Sequence, residues 1–390
     1  MQKNDLIYLD YSATTPVDPR VVAKMAPYFD VFYGNPSSVH QFGQQAEAAL
    51  ETAREDVAST LNCQPSEIIF TSCGSESDNL ALRGTAFYAK EHRGARHILI
   101  SPVEHHAVSH TAEQLAGNFG FELEYLPVDR FGLVQPETLK KHLRQDTALV
   151  SIIYANNEIG SINPIHELGE ICRDARVPLH TDAVQAGAYL NLDVDELNVD
   201  LLSLGAHKFY GPKGVGVLFV RTGTSLLPAQ TGGGQEFGLR AGTQNVPYIV
   251  GMAEALQIAQ EERSESASKM NAYRDRIIGR VLEEIPDSDL TGHPVQRLPN
   301  HASFVFEGVD GNNLLMMLDL EGFACSSGSA CKTGSPSPSE VLLALGIPPQ
   351  RALGSLRITL GRWTTSEQIE NFLNKLPRVV ERNRVIQNAG

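Results

Sequence analysis

Short apolar or β-branched runs alternate along the chain with amphipathic stretches of helical periodicity. The clearest short runs are "EIIFT", "HILIS", "LEYLPV", "ALVSIIYA", "VPLHTDA", "DLLSLGA" and "GVGVLFV". Segments such as "IHELGEICRDA" lie between them, and this alternation is typical of βαβ units. The pattern predicts an α/β fold with a mostly parallel sheet covered by helices on both faces.

A long helical pattern from about residue 246 to residue 285 leads out of this region. Beyond it, "HASFVFEG" and "SLRITLG" have the pattern of strands and "GNNLLMMLDLEG" that of a helix, which indicates a smaller α+β domain. We expect a large domain over residues 16–260. The small domain is predicted to combine residues 1–15 with residues 261–390 and to carry a Ser/Gly/Pro-rich loop at about 324–338.

The composition narrows the function classes. The chain has 390 residues, a formal net charge of −14 and 42% hydrophobic residues, a balance that suits a globular protein and argues against unspecific nucleic-acid binding. The first residues hold no apolar stretch of signal-peptide length, and no run approaches the ~20 apolar residues of a membrane span. The five cysteines are scattered and odd in number, so we expect a reducing, cytoplasmic location.

Lys208 follows an apolar run in "LGAHKFYGPKGVG", which places it at the end of a predicted strand. Strand ends are where ligands bind in α/β sheets. Most lysines are solvated surface charges, but a lysine kept partly neutral can form an imine with an aldehyde cofactor. Asp182 ends another strand in "LHTDAVQ", where it either caps a helix or pairs with the ring nitrogen of pyridoxal phosphate. Gln185 stands close enough in sequence to reach a ring substituent.

Two turns rich in small residues have the features of a phosphate site. In "IIFTSCGSESDNLALRG", a strand is followed by Gly74, which permits close backbone approach, by the hydroxyl of Ser75, and by a helix start with free amides. A second turn, "TGGGQEFGLRAGT", supplies glycines and Thr243. Serine and glycine open many helices as plain caps, so this signal is weak by itself.

Two further side chains suggest ligand contacts. His105 in "VEHHAV" can lie over a ring, although an ordinary loop histidine fits the same sequence. Arg357 alternates with apolar residues in "SLRITLG", and a buried arginine needs an anionic partner such as a substrate carboxylate. No metal site is predicted, because His106 and His110 have the spacing of one helical face but no third ligand is in view.

Cys331 lies in "SSGSACKTG", among small polar residues that do not resemble the apolar surroundings of a buried thiol. The stretch does not match a phosphate-binding P-loop, because Ser326 and Cys331 stand where that motif needs glycines. We therefore expect a thiol on a mobile loop.

Taken together, these motifs resemble those of the group I cysteine desulfurases, the nitrogen-fixation and iron–sulfur-assembly type within fold-type I pyridoxal phosphate enzymes. The resemblance runs nearly end to end, through "YLDYSATTPVDPRV", "GNPSSVHQFG", "TSCGSESDNLA", "YANNEIG", "HTDAVQ", "AHKFYGPKG", "GGGQEFGLRAGT", "SSGSAC" and "LRITLGR". It implies that L-cysteine yields L-alanine and a persulfide on the enzyme. That sulfur would go to acceptor proteins for iron–sulfur clusters, other sulfur-containing cofactors or tRNA.

The resemblance also implies a role for each matched residue. Lys208 would hold pyridoxal 5'-phosphate, His105 would stack on its ring, and Cys331 would accept the sulfur. The other implied contacts are Asp182 to the ring nitrogen, Asn157 and Gln185 to the ring oxygen, Gly74, Ser75 and His207 to the phosphate, Thr243 to the phosphate from the second subunit of a homodimer, and Asn35 and Arg357 to the substrate carboxylate. The Cys331 thiolate would be favoured by Lys332 or by His105 acting as a proton shuttle, and Cys325 would be a packed thiol rather than a sulfur relay.

Two departures from the family pattern leave questions open. Many relatives have a serine three residues before the lysine, where this chain has Gly205, so a phosphate hydroxyl is missing unless Ser203 replaces it. The chain also ends at "VIQNAG", without the longer tail with which some relatives dock a scaffold, which leaves the sulfur acceptor open.

Three other functions compete with this interpretation. A selenocysteine lyase or another class V enzyme would keep the fold and cofactor without needing the thiol. A scaffold with little turnover would not need the lysine, aspartate and cysteine together. A nicotinamide oxidoreductase is disfavoured because no GxGxxG follows the first strand.

Overall fold

The computed structural model describes residues 6–327 and 337–389. For residues 388 and 389 it describes the backbone alone. The strands are β1 (Ile7–Tyr8), β2 (Ile68–Thr71), β3 (His97–Ile100), β4 (Glu122–Tyr125), β5 (Thr147–Ser151), β6 (Leu179–Asp182), β7 (Leu201–Gly205), β8 (Gly216–Val220), β9 (Ser288–Leu290), β10 (His301–Phe306), β11 (Phe323–Ala324) and β12 (Ser355–Thr359). The helices are α1 (Pro19–Met25), α2 (Pro27–Asp30), α3 (Gln41–Leu61), α4 (Gly74–Arg93), α5 (His106–Phe119), α6 (Pro136–His142), α7 (Ile165–Ala175), α8 (Val246–Glu261), α9 (Arg263–Glu284), α10 (Gly311–Leu320), α11 (Glu340–Ala344), α12 (Pro349–Ala352) and α13 (Ser366–Ala389).

The largest sheet has seven strands in the order β2-β8-β7-β6-β5-β3-β4. Strand β8 runs antiparallel to both of its neighbours, and the other adjacent pairs are parallel. Every residue of β5, β7 and β8 is buried, as expected for strands covered on both faces. The predicted α/β class with a mostly parallel sheet is therefore confirmed.

The later part of the chain forms a three-stranded antiparallel sheet in the order β12-β10-β9. A separate parallel pair joins β1 to β11, so the N-terminal strand packs with residues more than 300 positions later. The division into residues 16–260 and a small domain of residues 1–15 and 261–390 stays a prediction, and most of the predicted 324–338 loop lies outside the described residues.

The helical pattern predicted over residues 246–285 forms two helices rather than one. Helix α8 ends at Glu261 and α9 begins at Arg263. Between them Glu262 leaves the helical conformation, and its carboxylate binds Arg20 and Arg362. The ion pairs tie the junction between the two helices to Arg20 and Arg362. Across the described part of the chain, no helix is long and apolar enough to span a membrane.

Candidate active site

The carboxyl ends of the central strands meet at one edge of the seven-stranded sheet. Strands β3, β5, β6 and β7 are parallel, and β2 has the same direction because both β2 and β7 run antiparallel to β8. The residues that follow these five strands therefore converge. A cavity of about 300 Å³ lies where they converge.

Most of the predicted site residues line this one cavity. Its wall contains Gly74, Ser75, His105, Asn157, Asp182, Gln185, His207, Lys208 and Arg357. Asn35 and Thr243 lie elsewhere in this chain, on exposed surface, and Cys331 falls outside the described residues. Six further residues of the wall were not predicted, and they are Ser12, Ala13, Cys73, Asp78, Ile153 and Val184.

The phosphate end of the cavity is formed by the start of α4. The residue before the helix, Cys73, makes no capping hydrogen bond with its side chain, so the first amides remain available to a ligand. A Cβ atom on Gly74 would lie 2.6 Å from Cγ2 of Val184, which leaves room only for glycine. Burial and the nearby lysines lower the pKa of His207 to about 4, so its imidazole is neutral at pH 7 and can donate a hydrogen bond.

Lys208 lies in a short 3-10 helix, Ala206–Lys208, directly after β7. Its Nζ donates hydrogen bonds to the carbonyl oxygens of Ser12 at 2.5 Å and Ala13 at 2.9 Å. Burial first, and the charge of Arg357 second, lower the pKa of Lys208 to about 8. A substantial fraction of the amine is therefore neutral and nucleophilic near pH 7 to 8.

Two buried carboxyl groups lie side by side at the bottom of the cavity. One ligand atom each from Asp78, His105 and Asp182 lie within 4.8 Å of one another. Burial raises the pKa of both aspartates, but His105, the Val184 amide and Lys208 oppose the rise at Asp182. The pKa of Asp78 is raised the more of the two, so Asp78 takes up a proton before Asp182 does.

A neutral hydrogen-bond chain supports this layer from below. Nδ1 of His180 is 2.8 Å from the Ser151 hydroxyl, and Nε2 is 2.9 Å from the Ser203 hydroxyl. Burial lowers the pKa of His180 to about 3, so it adds no positive charge next to Asp78, whose Oδ1 is 3.6 Å from Nε2 of His180. Because Ser203 is fully buried in this chain of bonds, it does not replace the serine that relatives have at the position of Gly205.

His105 and Asn157 close the sides of the cavity. His105 precedes α5, where its Nδ1 accepts a hydrogen bond from the Ala107 amide at 3.1 Å, which fixes the ring at the helix start. The carbonyl of Asn157 accepts hydrogen bonds from Nη1 of Arg357 at 2.9 Å and Nε2 of His301 at 3.1 Å. The turn after β5, which contains Asn157, is thus hydrogen-bonded to Arg357 on β12.

The remaining wall is the N-terminal segment, which we define as residues 10–15. Nη2 of Arg357 donates to Oδ1 of Asp10 at 2.8 Å, and Nε2 of Gln185 donates to the Ser12 carbonyl at 2.9 Å. This segment lies across the cavity between the lysine and the arginine. Its only sequence signal is the short polar stretch "DYSATT" after the first apolar run.

The residues present fit pyridoxal 5'-phosphate in three independent respects. A carboxylate at the cavity floor suits a protonated ring nitrogen, a partly neutral lysine suits an aldehyde, and a glycine at a helix start suits a phosphate. A phosphorylated pyridine aldehyde needs these three groups together.

One family model, Aminotransferase class-V, matches residues 7–372 of the chain. Fold and site thus define a class of enzymes that depend on pyridoxal phosphate. The cysteine desulfurase IscS of Methanosarcina thermophila is 47% identical over 382 residues, which cover 98% of this chain and 94% of that relative. The cysteine desulfurase IscS of Dictyoglomus turgidum is 48% identical over 383 residues, which cover 97% and 96%.

Solved structures agree with these relatives. A NifS-like protein superimposes with a TM-score of 0.90 at 39% identity, covering 97% of this chain and 100% of that one. The structure described as "SspA in complex with cysteine" superimposes with a TM-score of 0.80 at 36% identity, covering 92% and 99%. The chain belongs to the class-V aminotransferase family and, within it, to the cysteine desulfurases. The family and fold inferred from the sequence motifs are therefore confirmed.

Proposed function

We propose that this chain removes sulfur from L-cysteine with pyridoxal 5'-phosphate, releases L-alanine and carries the sulfur as a persulfide on Cys331. The sulfur then passes to an acceptor protein for iron–sulfur clusters, other sulfur-containing cofactors or tRNA. Membership of the cysteine desulfurases supports the activity. The observation that carries the proposal is one cavity lined by Lys208, Asp182 and Arg357.

The residues of the cavity divide the work of holding the cofactor. Lys208 would hold it through the amine, and Asp182 would pair with the ring nitrogen. Gly74, Ser75 and His207 hold the phosphate, His105 packs on the ring, and Asn157 and Gln185 contact the ring oxygen. When bound, pyridoxal phosphate withdraws electrons from Cα of the substrate.

Arg357 and Asn35 orient the substrate through its carboxylate. Arg357 is 7% exposed, and a buried guanidinium binds a carboxylate more strongly than an exposed one does. Asn35 is exposed in the single chain and lies outside the cavity, so its part in this contact depends on a second copy of the chain.

Cys331 acts as the nucleophile toward sulfur. Its thiolate attacks the sulfur of the bound L-cysteine, so an S–S bond forms while the Cβ–S bond breaks. The electron pair of the broken bond stays on Cβ, which takes up a proton and leaves within L-alanine. An ordinary thiol has a pKa of roughly 8.5, so Lys332 or His105 must favour the thiolate at neutral pH.

The proposal is tested by incubating the holoenzyme with L-cysteine, measuring L-alanine, and mapping the persulfide by mass spectrometry. Cys331→Ala should stop alanine release while the cofactor colour remains. Cys325→Ala is the matched control: Cys325 packs against the core, and burial raises the pKa of its thiol, so the label should stay on Cys331. Normal turnover by Cys331→Ala would refute the thiol role and favour a selenocysteine lyase or another class V enzyme.

A homodimer is part of the proposal. A cluster of large apolar side chains is exposed on the first helices and on the turn before α8: Val22, Phe29, Val31, Tyr33, Val39, Phe42 and Phe237. Val39 is 91% exposed, and the rings of Tyr33 and Phe42 lie 5.6 Å apart, so an apolar patch is open to a second surface. Thr243 lies in the same exposed turn region as Phe237, so a second copy seated here can bring its Thr243 to the phosphate.

Sedimentation of the Val39→Glu variant tests the dimer. A charge in this apolar cluster should convert the protein to a monomer and weaken cofactor binding, because Thr243 of the second copy is lost. Lys140→Glu, on exposed surface away from the cluster, serves as the control. A dimer that persists in Val39→Glu would contradict the assignment of this surface.

A further inference from the structure

Ser12 is held in the middle of the cavity by its backbone. Its amide donates to Oγ1 of Thr359 at 2.9 Å. Its carbonyl accepts from Nζ of Lys208 at 2.5 Å and from Nε2 of Gln185 at 2.9 Å. Both backbone groups are thus satisfied, and the residue is fixed between the cofactor lysine and β12.

The side chain of Ser12 is not satisfied. Among the described residues its Oγ has no hydrogen-bond partner, although Ser12 is only 2% exposed and lines the cavity. A buried hydroxyl without a partner destabilises the protein, so a ligand that enters the cavity is expected to supply the missing hydrogen bond.

A second unsatisfied donor belongs to Arg357, another residue of the cavity wall. Nη1 and Nη2 of Arg357 are bound to Asn157 and Asp10, but Nε is buried without a partner in the described part of the chain. Arg357 and Thr359 are two residues apart on β12 and so share one face of the strand. The Ser12 amide is bound to Thr359, which places the serine beside the arginine.

Two buried donors without acceptors indicate an acceptor-only ligand. An ionised carboxylate has two oxygens with about four lone-pair sites, so it can accept from Nε of Arg357 and from Oγ of Ser12 together. A neutral ester or amide has neither the charge nor the same number of acceptor sites. The proposed function already brings an amino-acid carboxylate to this arginine.

We propose that Ser12 is a further substrate-binding residue, whose hydroxyl donates a hydrogen bond to the α-carboxylate of the amino-acid substrate beside Arg357. The inference rests on the proposed function and extends it to a residue outside the predicted site. Ser12 thereby contributes to the selection of free amino acids over their neutral derivatives.

The test compares L-cysteine with L-cysteine methyl ester in the wild type and in Ser12→Ala. Loss of one hydrogen bond to a charged group should raise KM for L-cysteine about 10-fold and leave kcat within about threefold. The ester has no carboxylate charge, so its KM should change less than about twofold. The preference for L-cysteine over the ester therefore falls about 10-fold, which a general loss of packing would not produce.

Ser355→Ala is the matched control, because its buried hydroxyl also has no partner among the described residues but does not line the cavity. It should leave both substrates unaffected. An unchanged KM for L-cysteine in Ser12→Ala, or equal losses with acid and ester, would overturn the inference.

Spectral titration of the holoenzyme with L-alanine separates this inference from the proposed function, because it needs an amino-acid carboxylate but no sulfur chemistry. Ser12→Ala should weaken L-alanine binding about 10-fold. If the wild type releases no alanine from L-cysteine yet this loss is seen, the proposed function fails and the role of Ser12 stands. If L-alanine binds both proteins equally, the role of Ser12 is refuted whatever the turnover.

Discussion

Two walls of the same cavity differ in how the chain builds them. The sheet wall consists of residues that directly follow buried strands, including Asp182 after β6 and Lys208 after β7. The second wall joins the N-terminal segment to β12, where Asp10 and Arg357 form an ion pair across 347 positions of sequence. The first wall depends on local motifs, whereas the second exists only after the two ends of the chain have met.

The two walls differ in the part of the reaction that each is expected to affect. In the proposed function the sheet wall holds the cofactor, and its side chains are fixed by strands buried on both faces. The second wall is the one proposed to bind the substrate carboxylate, and its Asp10 and Arg357 act on the pKa of Lys208 in opposite directions. Variants of the sheet wall should therefore abolish the reaction, and variants of the second wall should shift its dependence on pH or substrate.

The largest effect is expected from Lys208→Ala. Removing the amine removes the covalent bond to the cofactor, so the visible absorbance should disappear and turnover should fall at least about a thousandfold. Absorbance and alanine release measured on the same sample check this result. Lys140→Ala, at an exposed lysine on α6, should behave as the wild type. A Lys208→Ala protein with normal turnover would remove the basis of the assignment.

The residues of the sheet wall could be predicted to lie together because each of them follows a recognisable strand or turn. Ser12 could not be predicted in this way, because a serine in a short polar stretch has no pattern of its own, and its importance arises from contact with Thr359 and Lys208. Asp78 was missed for a related reason. It lies within the first turns of α4 like any polar helix residue, and only the fold places it beside Asp182.

The effect of the second wall on the first should appear as a pH dependence of cofactor capture. Burial and Arg357 lower the pKa of Lys208 to about 8, while Asp10 raises it. The amine is protonated below this pKa and neutral above it, so the capture rate by the apoprotein should rise with pH and level off above about 8. A free lysine would level off only near 10.4.

Asp10→Asn sharpens the same measurement. Losing the Asp10 charge removes an interaction that stabilises protonated Lys208, so the midpoint should move below 8 and capture at pH 7 should become faster. Asp289→Asn, an exposed aspartate on β9, should leave the midpoint in place. A midpoint that rises in Asp10→Asn would contradict the proposed influence of the N-terminal segment on the lysine.

The smallest effect, a gain, is expected from Gly205→Ser. Gly205 has extended backbone with φ −135°, and a Cβ atom there would lie 3.4 Å from the Gly74 amide nitrogen, an ordinary contact. The new hydroxyl would stand at the phosphate end of the sheet wall, where Ser203 does not reach because it is bound to His180. The Kd for the cofactor, measured by fluorescence, should be about threefold to tenfold lower in the variant than in the wild type.

Gly74→Ser is the matched comparison, because it adds the same side chain a short distance away. Its Cβ would lie 2.6 Å from Val184, so the helix start must shift and cofactor affinity should fall. We thus expect cofactor affinity to rise in Gly205→Ser and to fall in Gly74→Ser. A general effect of added polarity would change both affinities in the same direction. If Gly205→Ser binds the cofactor no better than the wild type, the missing hydroxyl is not what limits phosphate binding, and the second subunit's contribution becomes the stronger explanation.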